Sequence, residues 1–189
     1  MQRYLDDNPD SYISRIPFTK GMIITFWGIV SIFLFRQNHF LFIKAFGVLN
    51  LITAFLTILF TVKFSFLKIS KQWLLLEAGI EIVAGFVCLF LADNTAEFLH
   101  YISIGIIFIV ILQFTYGYAL LMSGEFNLMN IIFRIITLIA GANISVLIFS
   151  QKLDTDIGFL IVGLFSVIYG IINMQYSVQL RNDVLGSIK

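Results

Sequence analysis

Two glutamates lie inside one of the most apolar stretches of the chain, where an ionised side chain needs a partner or a purpose. Glu77 and Glu81 are four residues apart, which places both on one face of a helix, about 6 Å apart along its axis. An ionised side chain at the middle of a bilayer costs about 2.5–3.5 kcal/mol on insertion scales. The pair therefore predicts either part of a structural ion pair or a binding site for a proton or another ion.

Arg134 is the cation that we expect to contact Glu77, directly or through water. It lies about six residues into the fifth apolar stretch, at a depth similar to that of Glu77 if successive helices are antiparallel. Gln113 and Tyr116 approach this depth on the fourth stretch and complete the predicted polar cluster. Glu81 is deeper and has no evident cation in its layer. We expect it to be protonated near neutral pH, because burial without a partner favours the neutral acid.

The elements that position these groups follow from the composition. Hydrophobic residues make up 59% of the 189 residues and charged residues only 12%, and the mean hydropathy is +0.96. A soluble fold of this size cannot cover so much apolar surface. The chain has 21 phenylalanines but only 2 prolines, which favours long apolar helices. The sequence therefore predicts an all-α membrane protein.

Several function classes are excluded or disfavoured by the same sequence. A net charge of +1 without a Lys/Arg run argues against a nucleic-acid partner. Cys88 is the single cysteine, so an intramolecular disulfide and a cysteine-based metal site are excluded. Motifs for a nucleophile elbow, a zinc protease or a phosphate-binding loop are missing from the sequence. We expect no enzymatic activity, no metal and no cofactor.

Six stretches are long enough to cross a bilayer as helices, which takes about 20 mainly apolar residues each. Short connections make successive helices antiparallel neighbours, with turns at Gln37-Asn38 and Asp93-Asn94. The predicted spans are residues 18–35, 41–62, 73–92, 98–122, 128–149 and 157–176.

The chain divides into three segments on this basis. Residues 1–17 form a cytoplasmic segment, either along the membrane interface or disordered, and Pro17 fits the first turn of the following helix. Residues 18–178 form the six-helix transmembrane domain, and residues 179–189 form a short cytoplasmic tail.

The distribution of positive charge predicts the orientation, because Lys and Arg are retained in cytoplasmic loops. Nine positive residues fall on the side of the termini and three on the other side. Both termini are therefore predicted to be cytoplasmic. The nine are Arg3, Arg15, Lys20, Lys63, Lys68, Lys71, Arg134, Arg181 and Lys189, and the three are Arg36, Lys44 and Lys152.

An internal repeat is indicated by glycines at a constant spacing. Gly47, Gly105 and Gly163 are separated by 58 residues and again by 58. Each lies early in an even-numbered span, so the repeating unit is a hairpin of two spans that returns the chain to the same side. Three such units, residues 21–62, 79–120 and 137–178, are parallel repeats related by a pseudo-threefold axis along the membrane normal.

The same glycines have a structural interpretation. Without a side chain they let helices approach closely, which favours association in lipid. Gly21, Gly79 and Gly85 are expected to act in this way together with the three repeated glycines. A role as hinges or as a pore lining is the alternative.

The segment from Trp73 to Gly85, WLLLEAGIEIVAG, together with the glycine-containing starts of the even spans, resembles the HdeD-like family of small bacterial membrane proteins. The resemblance covers residues 21–173 and implies six helices built from three repeated hairpins. The resemblance also implies a location in the bacterial inner (cytoplasmic) membrane and suggests a link to envelope or acid stress, and it supplies no catalytic residues. Family members commonly have a proline after the first helix of a hairpin, whereas Pro9 and Pro17 are the only prolines here.

Three functions compete at this point. The first is a non-enzymatic HdeD-like protein that works through helix contacts with lipids or proteins. The second is a small channel or transporter for protons or a solute that uses Glu77 and Glu81. The third is an accessory subunit of a larger membrane complex. The partners would be the lipid bilayer and either a second copy of the chain or another membrane protein.

Overall fold

Six helices account for most of the described chain. The computed structural model describes residues 9–34, 38–63, 68–123, 128–150 and 154–186. The all-α class predicted from the sequence is confirmed for this part of the chain. The helices are α1 (Pro9–Leu34), α2 (His39–Lys63), α3 (Lys68–Phe90), α4 (Thr95–Ser123), α5 (Leu128–Phe149) and α6 (Thr155–Gly186).

The first and last helices are longer than the predicted spans. α1 begins at Pro9 and continues through Pro17, so Pro17 is inside the helix and the prediction of a first-turn position is wrong. An interior proline removes one backbone hydrogen bond, which a first-turn proline would not. α6 continues to Gly186. The predicted segment boundaries at residues 17/18 and 178/179 therefore fall inside continuous helices.

Asparagine side chains begin two of the helices. The backbone N–H of Leu41 donates to Oδ1 of Asn38 at 3.0 Å, and the N–H of Glu97 donates to Oδ1 of Asn94 at 2.9 Å. Each asparagine satisfies an N–H that has no partner within its helix. The predicted turns at Asn38 and Asn94 are confirmed. Gln37 lies outside the described residues.

The helices form a closed ring in chain order. The most extensive contacts join α1 to α6, α2 to α3 and α4 to α5, while the hairpin pairs α1/α2, α3/α4 and α5/α6 pack less extensively. Further contacts join α4 to α2 and to α6. The even-numbered helices thus approach one another across the ring. Chain direction alternates, so α1 begins and α6 ends on one side, called here the terminal side.

Glycines allow close backbone approach at two of the three extensive interfaces. A Cβ on Gly28 would lie 2.7 Å from the carbonyl oxygen of Gly163, where α1 meets α6. A Cβ on Gly47 would lie 2.9 Å from the carbonyl oxygen of Gly85, where α2 meets α3. A Cβ on Gly21 would likewise meet the α6 backbone at 2.6 Å. Four of the predicted packing glycines thus leave no room for a side chain, namely Gly21, Gly47, Gly85 and Gly163.

The packing prediction is wrong for the other two glycines. A Cβ on Gly79 or Gly105 would meet nothing within 4 Å. Both glycines line a groove between α3 and α4, and α3 and α4 pack less extensively than α2 and α3. Open space therefore lies where the repeated spacing predicted close contact.

The outer surface is apolar, as a protein in lipid requires. Phe33 is 76% exposed and Phe26 is 69% exposed on α1, and Val146 is 67% exposed on α5. Large apolar side chains are also exposed along the other helices. Such a surface exceeds what a soluble monomer exposes. Five helices, all except α5, are long and apolar enough to cross a membrane, which is consistent with a multi-pass membrane protein.

Candidate functional site

Lys20 lies at the centre of a buried charged cluster. It is 4% exposed, and α1 places its Nζ 2.7 Å from Oε1 of Glu77 and 2.7 Å from Oε1 of Glu81 on α3. Nζ also donates to Oγ1 of Thr57 on α2 at 3.0 Å. An ammonium has three N–H donors, and these three acceptors match them. One cation therefore serves two carboxylates.

Glu77 is the better satisfied of the two acids. It is 8% exposed, and the hydroxyl of Tyr169 on α6 donates to the same oxygen that contacts Lys20. Arg134 on α5 adds an electrostatic attraction. A carboxylate with two direct partners and a further positive charge nearby is stabilised in its ionised form. Glu77 thus fits the role of permanent counter-ion to Lys20.

Glu81 is less well satisfied. It is 4% exposed, and only its Oε1 contacts Lys20. Within the described part of the chain, its Oε2 is buried and has no hydrogen-bond partner. Thr53 interacts with Glu81, but the Thr53 hydroxyl donates to the carbonyl of Asn50 at 3.0 Å. A buried acceptor without a donor costs about 1–3 kcal/mol. This oxygen is therefore available to a proton, a water or a cation.

A cavity of about 70 Å³ adjoins Glu81 between α1, α2, α3, α4 and α6. Trp27 also lines this central cavity, and its indole N–H is buried without an acceptor among the described residues. The volume exceeds the roughly 10–15 Å³ that one water requires. Two of the lining residues thus carry a polar atom without a partner, which favours a polar occupant over an empty space.

A second, smaller cavity lies on the other side of Lys20. It has a volume of about 20 Å³ and is lined by Lys20, Pro17, Thr57 and Asn173, among others. One water requires about 10–15 Å³, so a single water fits. Pro17 and Asn173 place this cavity nearer the terminal side than the central cavity. The Lys20 ammonium and its two carboxylates thus separate two small cavities.

Aromatic side chains fill the bundle on the side away from the termini. The ring centroids are 4.4 Å apart for Trp27 and Phe46, 5.5 Å for Phe46 and Phe98, and 5.1 Å for Phe98 and Phe159. Phe98 and Phe159 are 0% exposed. These four rings come from α1, α2, α4 and α6, and they separate the central cavity from that end of the bundle.

The direct ion-pair partner of Glu77 is Lys20 and not Arg134, so the prediction of a direct Arg134 contact is wrong. Arg134 donates from Nη1 to Oε1 of Gln113 and acts on Glu77 electrostatically. Arg134 and Gln113 thus contact each other, as the predicted polar cluster requires. Glu77, however, forms its ion pair with a residue of α1 and not of α5. The Tyr116 side chain lies outside the described residues.

The expectation that Glu81 has no cation in its layer is also wrong. It placed Lys20 at the terminal-side end of the first span, whereas α1 begins eleven residues before Lys20 and carries it into the bundle. Its protonation near neutral pH stays a prediction, now for a different reason: Lys20 is shared with Glu77.

Sequence reasoning missed Lys20 and Tyr169 as members of the site. Lys20 is followed by fourteen helical residues, and the nearby Pro17 suggested a helix start. The apolar content of residues 12–16 was the available signal for an earlier helix start. Tyr169 lies in a predicted span, but no sequence pattern ties its hydroxyl to Glu77.

Lys44 makes a different kind of contact at the far end of α3. Its Nζ donates to the backbone carbonyls of Leu89 at 2.9 Å and Ala92 at 3.0 Å, and it lies 3.3 Å from Oδ1 of Asp93. Carbonyls at the end of a helix lack partners within it. Lys44 therefore caps α3, which agrees with its predicted place near the membrane interface.

Comparisons of the chain with protein-family models, with curated proteins and with solved structures found no significant match.

Proposed function

We propose that this chain is a small membrane transporter that exchanges a proton or another cation at Glu81. The observation that carries the proposal is the geometry of that side chain. One of its oxygens shares Lys20 with Glu77, while the other is buried, unpartnered among the described residues and next to a cavity. Intramembrane carboxylates commonly mark proton or ion pathways.

The distribution of charge explains why Glu81 is the acid that takes up a proton or a cation. The three groups in direct contact, two carboxylates and one ammonium, carry a net charge of −1 when both acids are ionised. Arg134 attracts Glu77, which Tyr169 and Lys20 also contact, so Glu81 is the less compensated carboxylate. Burial in a low-dielectric interior makes an uncompensated charge expensive. A proton or a cation at Glu81 offsets that charge.

The surroundings support a carrier more than an open pore. The aromatic layer of Trp27, Phe46, Phe98 and Phe159 packs between the central cavity and the end of the bundle away from the termini. On the other side, Lys20 lies between the two cavities. A lysine has a flexible stem and a compact charge. Movement of this side chain would connect or separate the cavities without rearranging the helices.

Membrane placement is part of the proposal. α5 has 22 residues, about 33 Å at 1.5 Å each, which is enough to add a sixth span. With Lys20 and Arg134 left out because their side chains contact residues inside the bundle, seven positive residues remain on the terminal side against three on the other. This count still favours cytoplasmic termini. The closed ring of contacts supports three hairpin repeats about a pseudo-threefold axis.

Together with this function, we propose that the chain is HdeD-like and that it has a role in envelope or acid stress. A site that takes up one proton would respond to acid, which is the point where the two proposals meet. A homo-oligomer or a larger complex is compatible with the apolar outer surface.

Infrared difference spectroscopy on the purified protein tests the exchangeable proton. We expect a carboxylic-acid band at neutral pH that disappears in Glu81→Gln. In Glu77→Gln, Lys20 no longer has a second carboxylate to neutralise, so the Glu81 band should appear only at lower pH. Proteoliposomes with an internal pH dye should show proton flux for the wild type and none for Glu81→Gln. An ionised Glu81 throughout the pH series, together with unchanged flux in Glu81→Gln, would refute the proposal.

A further inference from the structure

We propose that the central cavity binds a primary alkylammonium ion. Its charged head hydrogen-bonds to Glu81, and its hydrocarbon chain reaches the bilayer between α3 and α4. The inference rests on the proposed function, because it names the class of ligand that exchanges with the proton on Glu81. The charge of the cavity, its size and the wall residues that it shares with a lateral groove support the assignment.

The charge and the lining select a cation. The unpartnered Oε2 of Glu81 accepts hydrogen bonds, and the cavity has four aromatic residues in its wall, Trp27, Phe46, Phe165 and Tyr169. Aromatic faces attract ammonium groups, and a carboxylate forms its strongest hydrogen bonds with charged donors. A neutral alcohol would supply the hydrogen bond but not the positive charge that the cluster needs.

The size selects a primary ammonium. At about 70 Å³, the cavity has roughly half the volume of an apolar cavity that binds benzene, about 150 Å³. An –NH₃⁺ group and its first carbons fit such a space. A nitrogen that carries four carbon substituents is too bulky, and it also lacks an N–H to donate to Glu81.

A lateral groove provides room for the rest of the chain. It has a volume of about 530 Å³ and runs between α3 and α4, where it shares four lining residues with the cavity. One of them is Gly105, where a Cβ would meet nothing within 4 Å. The groove continues past Gly79, Val83 and Phe108. Its lining is apolar, as an alkyl chain requires. The four shared residues are Ile80, Ala84, Ile102 and Gly105.

Ligand and proton exclude each other at this site. The protonated acid of Glu81 loses its proton to the medium, and the carboxylate that remains pairs with the ammonium, whose N–H bonds stay intact. The charged and titratable groups around the site are Lys20 on α1, Glu77 on α3 and Tyr169 on α6, with Arg134 on α5 acting on Glu77. None of these groups needs to change its charge for the exchange.

Tryptophan fluorescence measures binding directly. In a Trp73→Phe background, Trp27 in the cavity wall is the remaining tryptophan. We expect n-hexylammonium at pH 7 to change the fluorescence saturably and to release a proton into weakly buffered solution. Hexanol and hexyltrimethylammonium should give no saturable change. Glu81→Gln should weaken hexylammonium binding roughly tenfold or more, because a charge-assisted hydrogen bond is lost.

Paired variants test the lateral groove. Gly105→Ala places a methyl group in open space and should keep hexylammonium binding. Gly105→Leu fills the passage and should abolish binding. Gly79→Leu fills the groove away from the cavity, so it should weaken binding of hexylammonium more than binding of ethylammonium. Unchanged hexylammonium affinity in both leucine variants would refute the route through the groove.

The ligand class and the proposed function can fail separately. If hexanol binds as tightly as hexylammonium and Glu81→Gln changes neither, the cavity binds hydrocarbon and the ammonium assignment is overturned. If hexylammonium does not bind while the Glu81 acid band is present, the ligand class is wrong but the proton site stands. A lipid chain that co-purifies with the protein is the alternative occupant of the groove. If that lipid stays bound through delipidation and reconstitution and hexylammonium does not bind, the groove is a lipid site and the inference is likewise overturned.

Discussion

Removing the cation from the buried cluster should destabilise the protein more than removing any other lysine inside a helix. Lys20→Met eliminates two ion contacts of 2.7 Å and the hydrogen bond to Thr57. It leaves Glu77 and Glu81 together in a buried site without their shared partner. Breaking a buried ion pair by removing one member costs about 3–5 kcal/mol. We expect a loss in this range at neutral pH, measured by denaturant titration in mixed micelles.

The two remaining carboxylates determine how the loss of stability in Lys20→Met varies with pH. Because the penalty arises from ionised acids, it should shrink as the pH falls and both acids become protonated. Replacing all three charged groups, as Lys20→Met/Glu77→Met/Glu81→Met, should restore most of the stability, since apolar replacements of buried ion clusters are often neutral or stabilising. Lys44→Met is the matched control. Its partner Asp93 has a side chain that is 76% exposed, so the loss should be smaller, about 0.5–1.5 kcal/mol for each hydrogen bond.

Two results would contradict this reasoning. If Lys20→Met and the triple variant lose equal stability, the charges left behind are not the cause. If Lys20→Met and Lys44→Met lose the same free energy of unfolding, burial of the ion pair does not determine the size of the loss.

Two further predictions concern packing and topology. Gly28→Ala should destabilise the protein by about 1–3 kcal/mol through overpacking, since its Cβ would meet the α6 backbone at 2.7 Å. The Cβ of Gly79→Ala would meet nothing within 4 Å, so this variant should be neutral or up to about 1 kcal/mol stabilising. Equal effects of the two variants in detergent melts would disprove the distinction. In a Cys88→Ala background, an impermeant thiol reagent added to intact cells should label Asp154→Cys but not Lys68→Cys, and the reverse pattern would overturn the proposed orientation.

Much of the fold could be predicted because long apolar stretches without proline have few alternatives in lipid. The positions of α2 to α5 agree with the predicted spans to within a few residues, apart from the start of α3 at Lys68. The ends of α1 and α6 could not be predicted in the same way. Their extensions, residues 9–17 and 177–186, contain polar residues, so hydropathy does not mark them as helical. Helix propensity alone is a weak guide there.

The candidate site was predicted in part, because spacing determines which residues share a helix face but not which helix packs against it. The four-residue spacing of Glu77 and Glu81 correctly placed both on one face of α3. The partner depends on neighbours in space, and α3 meets Lys20 of α1 at that depth rather than Arg134 of α5. Depth in the bundle alone cannot identify the partner of a side chain, because a residue at the same depth can come from any of the other helices.

The two lysines that contact α3 show why we assign one to a structural contact and the other to the proposed exchange site. Lys44 donates to backbone carbonyls, which carry no net charge and bind no proton at ordinary pH, and its carboxylate partner is largely exposed. Water can replace each of these contacts. Lys20 instead has two buried carboxylates and cannot neutralise both. Arg134 also acts on Glu77, which leaves Glu81 with only a share of Lys20. Because Glu81 lines the central cavity, a proton or a cation on it would be able to leave and be replaced under the proposed function, which a fully matched ion pair would not allow.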